Sequence, residues 1–283
     1  IVIIAVSMSL SIFLSQRHQQ QESSNPGMLG LSYEDISFIT IDKLTLHGWW
    51  IPAPGSVHTI VFLHGFHGSM DPDLKYAPSI HNAGYNILMF DFRAHGRSDG
   101  TTITLGALEV QDVNAAVEYA LKRGSEKIGL LGFSMGGRTA LLAAPESNQV
   151  IRAIVSDGGP LNLTVAILHR IKEKGFPWGL RHLLCGSLLL GLSVRTGKNL
   201  FRINPVCNST NSSKIPILLI HAEFDHYTNS VDLQRMVRGT CKNVTLEVIP
   251  GVGHRETDTI GVDNYLSKII AFFNHNLKPM EEL

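Results

Sequence analysis

Residues 127–137 read KIGLLGFSMGG. Lys127 to Leu131 is a short apolar run, as expected of a strand buried on both faces. It passes at once into Gly132-Phe133-Ser134-Met135-Gly136-Gly137, and then into a helix-compatible stretch, Thr139 to Ala144. The spacing G-x-S-x-G between strand and helix predicts a very tight turn. In such a turn Ser134 takes strained backbone angles, and side chains at 132 and 136 would collide with the neighbouring elements. A helix starting just after Ser134 also points its first amides, with their partial positive charge, at the hydroxyl. Ser134 is therefore the candidate nucleophile.

The same alternation recurs on both sides of this unit. Thr59–Leu63, Asn86–Phe90, Ile151–Val155, Ile217–Ile220 and Val244–Ile249 are continuous apolar runs bounded by Gly or Asp. Leu105–Lys122, Ser230–Arg238 and Ile260–Asn274 are helical in pattern. Ile36–Ile41 and Leu44–Ile51, split by Asp42-Lys43, read as an antiparallel hairpin at a sheet edge, with Trp49 and Trp50 packed on it. The predicted class is α/β: a doubly wound, mostly parallel sheet of about eight strands with helices on both faces.

The pattern changes at two places. No strand is predicted from Pro160 to Pro205. Instead Leu163–Lys172 and Leu180–Leu192 read as helices around Gly175-Phe176-Pro177-Trp178-Gly179, and residues 160–205 are expected to form a short helical lid. Leu183, Leu184, Leu188, Leu189 and Leu190 either line an acyl pocket or make the lid's own small core. At the other end, residues 1–15 form an apolar segment, in which the run Ile1 to Leu14 is broken only by Ser7, Ser9 and Ser11. The run falls short of the roughly 20 residues that span a bilayer. It reads as part of a membrane anchor or a signal segment, and without an A-x-A-like site after it a membrane-anchored location is expected. Residues 16–33 are polar and read as a linker, and residues 34–279 as the folded domain.

Lys plus Arg and Asp plus Glu are balanced at 24 each, for a formal net charge of zero. Such a balance gives no reason to expect nucleic acid as a partner. A small neutral or amphipathic substrate fits it better. Cys185, Cys207 and Cys241 are far apart and form no CxxC pair, which argues against a zinc site or a disulfide framework. No metal or cofactor is expected. Asn-x-Ser/Thr sequons stand at Asn162, Asn208, Asn211 and Asn243, and matter only in a glycosylating compartment.

A serine hydroxyl needs a base. Of 13 histidines, His254 is the candidate, because Pro250-Gly251-Val252-Gly253-His254 follows the last predicted strand and can bring an imidazole over the sheet edge. His226 and His95 are reserves. The carboxylate that orients the imidazole is expected to be Asp225, which follows the strand at 217–220. Asp157, at the end of the preceding strand, competes for that role, while Glu223 reads as a loop residue. An oxyanion needs preorganised N–H donors. The amides of Met135 and of Phe66, in the loop His64-Gly65-Phe66-His67-Gly68, are expected to supply them, with His64 bracing that loop. Asp91, Arg93 and Gly96 are expected to fix their turn by local bonds rather than to bind an anion.

These stretches, VFLHGFHGS, FDFRAHGRSDG, GLLGFSMGG, ILLIHAEFD and PGVGH, resemble the α/β-hydrolase superfamily over about residues 34–276. The likeness runs closest to bacterial-type carboxylesterases and the serine aminopeptidase or monoacylglycerol-lipase-like group. It implies Ser134, Asp225 and His254 as a catalytic triad, with the Phe66 and Met135 amides as the oxyanion hole. Ala222 stands where glycine is common after the histidine, and Ala94 where an Arg-Gly pair is usual. The expected activity is hydrolysis of carboxylic esters with short to medium acyl chains, through an acyl-enzyme. A thioesterase, a peptidase or an acyltransferase would use the same triad. A non-catalytic binding protein would need a broken one.

Overall fold

The computed structural model describes residues 2–18, 22–144, 150–205, 215–237, 243–259 and 261–278. Cys207, Cys241 and the sequons at Asn208 and Asn211 lie outside them. Eight strands form a single sheet: β1 (Glu34–Ile39), β2 (Thr45–Ile51), β3 (His58–Leu63), β4 (Asn86–Phe90), β5 (Lys127–Phe133), β6 (Ile151–Asp157), β7 (Ile217–Phe224) and β8 (Val244–Gly253). Their order is β1-β2-β4-β3-β5-β6-β7-β8. β1 and β2 are the antiparallel hairpin read from the sequence, with Glu34 opposite Trp50 and Ile39 opposite Thr45. β2 also lies antiparallel to β4, and every later pairing is parallel. The chain leaves β3 for β4 on one side and then places β5 on the other. The crevice outside the carboxyl ends of β3 and β5 is thus a topological switch point, where open α/β sheets bind their ligands.

Eight helices accompany the sheet among the described residues: α1 (Val2–Ser15), α2 (Ala77–Asn82), α3 (Glu109–Lys122), α4 (Met135–Ala143), α5 (Leu163–Glu173), α6 (Trp178–Thr196), α7 (Ser230–Val237) and α8 (Val262–Leu277). Strand side chains alternate between faces, so each strand feeds two cores. Val61, Leu63, Leu88 and Trp50 pack with α3, α4 and α7 on one face. Ile60, Phe62, Ile87 and Trp49 pack with α2 and α8 on the other. The adjacent tryptophans are both buried, one in each core.

The helices depart from the sequence reading most at three places. α3 begins at Glu109 rather than Leu105, because Leu105 and Gly106 have left-handed φ of 55° and 96°. The Glu109 carboxylate accepts from the amides of Thr104 (2.6 Å) and Gly106 (2.8 Å), closing the loop before the helix. α4 begins at Met135, directly after the candidate nucleophile, rather than at Thr139. α2 was not anticipated. Its apolar positions, Ala77 and Ile80, are too few to declare a period.

The expectation of a membrane anchor is corrected. Among the described residues no helix is long and apolar enough to cross a membrane. α1 has 14 residues and packs against α6 of the lid. Arg195 of α6 donates to the carbonyl of Ser11 (3.1 Å) and to the Ser15 hydroxyl, a cation at the negative end of the α1 dipole. The polar stretch that follows is tied down. Gln16 bridges to Thr102 and His18 to His95. Ser23 donates to Asp71 through both its amide and its hydroxyl, each at 2.8 Å.

Candidate active site

The site is assembled at the carboxyl ends of β3, β5, β7 and β8. Ser134 sits between β5 and α4 with φ 52° and ψ −113°, a conformation that costs a non-glycine residue on the order of 1–3 kcal/mol. The surroundings enforce it. The Ser134 amide donates to the Asp157 carbonyl at 2.7 Å, and the Ser134 carbonyl accepts from Arg138 N at 3.0 Å. At Gly136 a Cβ would lie 1.9 Å from the Leu63 carbonyl oxygen, and at Gly132 it would lie 2.5 Å from the Gly136 oxygen. Both are backbone atoms and cannot step aside. Gly136→Ala is therefore expected to cost about 3 kcal/mol or more, read as loss of soluble protein or a lower urea midpoint.

The structure brings all three candidate triad side chains together. His254 Nε2 lies 2.9 Å from Ser134 Oγ, and His254 Nδ1 lies 2.6 Å from Asp225 Oδ2. The other oxygen of Asp225 accepts from the amides of Tyr227 (2.7 Å) and Thr228 (3.2 Å). Burial alone would raise the Asp225 carboxyl, but the hydrogen bond from His254 and the imidazole's charge outweigh it and hold the group below its ordinary value. An ionised carboxylate on Nδ1 fixes the tautomer that leaves Nε2 free to accept from the serine hydroxyl. Asp157, the competing acid, is buried elsewhere: its Oδ2 accepts from Thr257 Oγ1 (2.6 Å) and Tyr265 OH (2.7 Å), not from His254.

The other residues singled out in the sequence stand around this centre. Phe66 and Met135 both line the cavity that opens on Ser134. His64 braces the loop after β3: Nδ1 donates to the Gly65 carbonyl (2.8 Å) and Nε2 accepts from Phe92 N (2.9 Å). Asp91 accepts from Met70 N at 3.0 Å and Arg97 N at 3.1 Å, and Arg93 pairs with Asp112 and Asp42. Both are engaged within the fold. Glu223 lies in β7, not in a loop, and accepts from Gly251 N at 2.9 Å. Asn162 caps α5 through Val165 N at 3.1 Å. His226 stands 5.3 Å from the His254 ring, centroid to centroid, and His95 is buried beside His64.

His64 and His95 are both held below their ordinary value. Burial is the first cause for each, opposed in His64 mainly by Asp91 and reinforced in His95 by the neighbouring His64. At each of these two positions the unfolded chain binds more protons than the folded one below pH ~6.5. The share of stability held by the two neutral rings should be fully present above that value and fall as the pH drops through it. That share of the unfolding free energy is expected to decline between pH 7 and pH 5, by up to ~1.4 kcal/mol per pH unit for each ring, against an opposing gain from the buried Asp112 and Asp73, which are held above their ordinary value. His95→Phe should make that decline shallower.

Sequence reading missed three contributors. Tyr227 packs edge-on against His254, with centroids 4.7 Å apart. Arg255 has a left-handed φ of 66°, bonds to Asp73 and stacks on Phe133 at 4.2 Å, so it anchors the loop that carries His254. Arg138 is buried in α4 and donates to the carbonyls of Leu105 (3.0 Å), Pro160 (3.1 Å) and Ile203 (2.6 Å). One guanidinium thus holds both ends of the helical segment 160–205 to the helix behind Ser134. A lone charge among the small residues of GGRTALLA was the signal available for it.

Two cavities meet at Ser134. One, of about 660 Å³, is almost wholly apolar and runs under the lid between Met135, Leu163, Ile167, Leu184 and Leu188. The other, of about 230 Å³, is more polar and is bounded by Ser69, Asp73, Tyr227, His254 and Arg255. The two alternatives for the lid leucines are divided between them. Leu184 and Leu188 line the apolar cavity, Leu188 and Leu189 also belong to a separate lid core, and Leu183 and Leu190 are exposed. Among the described residues no group of three or more His, Cys, Asp or Glu side chains is placed to hold a metal.

A serine elbow at the switch point of such a sheet, with the histidine and aspartate arriving from later strands, is the layout of the α/β-hydrolase fold. Residues 58–184 match the family model described as the alpha/beta hydrolase fold. The chain is 28% identical to the Pyrococcus furiosus esterase Pf2001, with a TM-score of 0.75 over 93% of this chain and 98% of that one. It is 27% identical to the protein YfhR of Escherichia coli, over 88% of this chain and 83% of the relative. It is also 27% identical to YfhR of Salmonella typhimurium, over 72% of this chain and 68% of that protein; both YfhR proteins carry the description uncharacterized. The chain has the α/β-hydrolase fold, and that fold and its likeness to a solved esterase support a hydrolase.

Proposed function

We propose that this protein is a serine hydrolase of carboxylic esters. The observation that carries the reading is the continuous chain from Ser134 Oγ through His254 to Asp225, with contacts of 2.9 and 2.6 Å. Ser134 Oγ bonds to the ester carbonyl carbon as His254 takes its proton. The developing oxyanion is received by the amides of Met135 and Phe66. The imidazolium, steadied by Asp225, returns the proton to the departing alkoxide as the ester C–O bond breaks. Water then attacks the acyl-enzyme with His254 again as base, releasing the acid and restoring Ser134.

The apolar cavity suits the acyl chain, and the smaller polar cavity on the other side of Ser134 suits the alcohol. A panel of p-nitrophenyl esters from acetate to dodecanoate, with a fluorophosphonate probe, tests the reading. Turnover of esters and probe labelling that maps to Ser134 are expected. No labelling and no turnover across the panel would overturn it.

A further inference from the structure

The apolar chamber beside Ser134 has a wall that the sequence assigned to another purpose. Val6 and Leu10 of α1 line the same cavity as Ser134, Met135, Leu184 and Leu188. α1 is held there by directed bonds as well as by apolar contact. Arg195 of the lid grips the Ser11 carbonyl and the Ser15 hydroxyl and reaches Thr102 Oγ1 at 3.2 Å, while Ile103 N donates to the Ser15 carbonyl at 2.7 Å. The end of α1 is thereby fixed to both the lid and the loop before α3. The chamber, at about 660 Å³, is far larger than a short acyl group needs. A water's share of the liquid is about 30 Å³ and a methylene is of similar size, so the space accommodates on the order of a dozen carbons or more.

We propose that α1 is a wall of the acyl-binding chamber and that Leu10, with Val6, sets the length of acyl chain the enzyme prefers. The preferred substrates are then esters of long, unbranched acyl chains rather than short ones. This rests on the reading of Ser134 as the acyl-accepting nucleophile. Each methylene that leaves water for the chamber is worth about fourfold in kcat/KM, so the rate should climb with chain length until the chain reaches α1.

The test compares the wild type with Leu10→Trp, Leu10→Ala and, as a control on the exposed side of α1, Ile12→Trp. Leu10→Trp is expected to lower kcat/KM for p-nitrophenyl dodecanoate at least tenfold while leaving p-nitrophenyl acetate within twofold. Leu10→Ala should move the optimum to longer chains, and Ile12→Trp should change nothing. A Leu10→Trp protein that loses acetate and dodecanoate turnover alike, or keeps both, overturns the proposal. A binding measurement separates this from the catalytic reading. Dodecanoate affinity is measured by displacement of a fluorescent fatty acid, in a Ser134→Ala background. Leu10→Trp should weaken it at least tenfold whether or not the ester panel shows turnover, and an unchanged affinity would reject the wall.

Discussion

Ser134→Ala is expected to lower kcat for ester hydrolysis by roughly 10⁴- to 10⁶-fold, with KM changed little. The size follows from what the substitution removes and what it leaves. It takes away the atom that bonds to the acyl carbon, so the covalent route closes. It leaves the Met135 and Phe66 amides, both cavities and the His254–Asp225 pair, and residual catalysis over water should come from those groups alone. Folding should be preserved, since alanine at φ 52° loses no bond that the fold depends on. Single-turnover kinetics with p-nitrophenyl butyrate, together with loss of fluorophosphonate labelling at an unchanged melting temperature, would check it. Wild-type-like turnover in Ser134→Ala would remove Ser134 from the chemistry altogether.

The second large effect separates two aspartates that the sequence left in competition. Asp225→Asn is expected to lower kcat by about 10⁴-fold. An amide in that place can present its N–H to Nδ1 and stabilise the wrong tautomer, and it cannot balance the imidazolium. Asp157→Asn should stay within about tenfold in kcat. Its carboxylate serves Thr257 and Tyr265, so the substitution acts on the packing of α8 and the His254 loop rather than on the proton. The expected signature is a lowered denaturation midpoint with near-normal kcat. Because Asp225 is held below its ordinary value in the fold, it stays ionised well into acid, and its share of stability is lost only when the pH falls through that lowered value. Equal damage from both substitutions would return Asp157 to the site.

The strands, and the three side chains that meet as a candidate triad, were legible because their signals are local. A buried parallel strand announces itself by an unbroken apolar run, and the elbow by glycines that must stand within two residues of Ser134. The order of serine, aspartate and histidine along the chain then follows from where the strand ends lie. What escaped was set by partners far away in sequence. Arg255 takes its meaning from Asp73, 182 positions earlier, and nothing in RETD declares that. α1 looked like an anchor because its composition is apolar, and its actual surface is supplied by α6 and by Arg195. α3 was started too early because the apolar period continues back through Leu108 and Leu105, while the left-handed backbone at Leu105 and Gly106 leaves no trace in that period. Ala94 shows the same limit from the other side. Its φ of 60° explains why glycine is usual there, yet alanine is accommodated.

Arg138 reads only main-chain oxygens, at Leu105, Pro160 and Ile203. Carbonyls are common to every residue type, so the cap between the latter two can change its side chains, and even its length, without loosening its moorings. Such a mounting would let the cap behave as an interchangeable cassette. The lining of the apolar cavity could then drift by rewriting α5 and α6, while Ser134, His254 and Asp225 beneath them stay as they are.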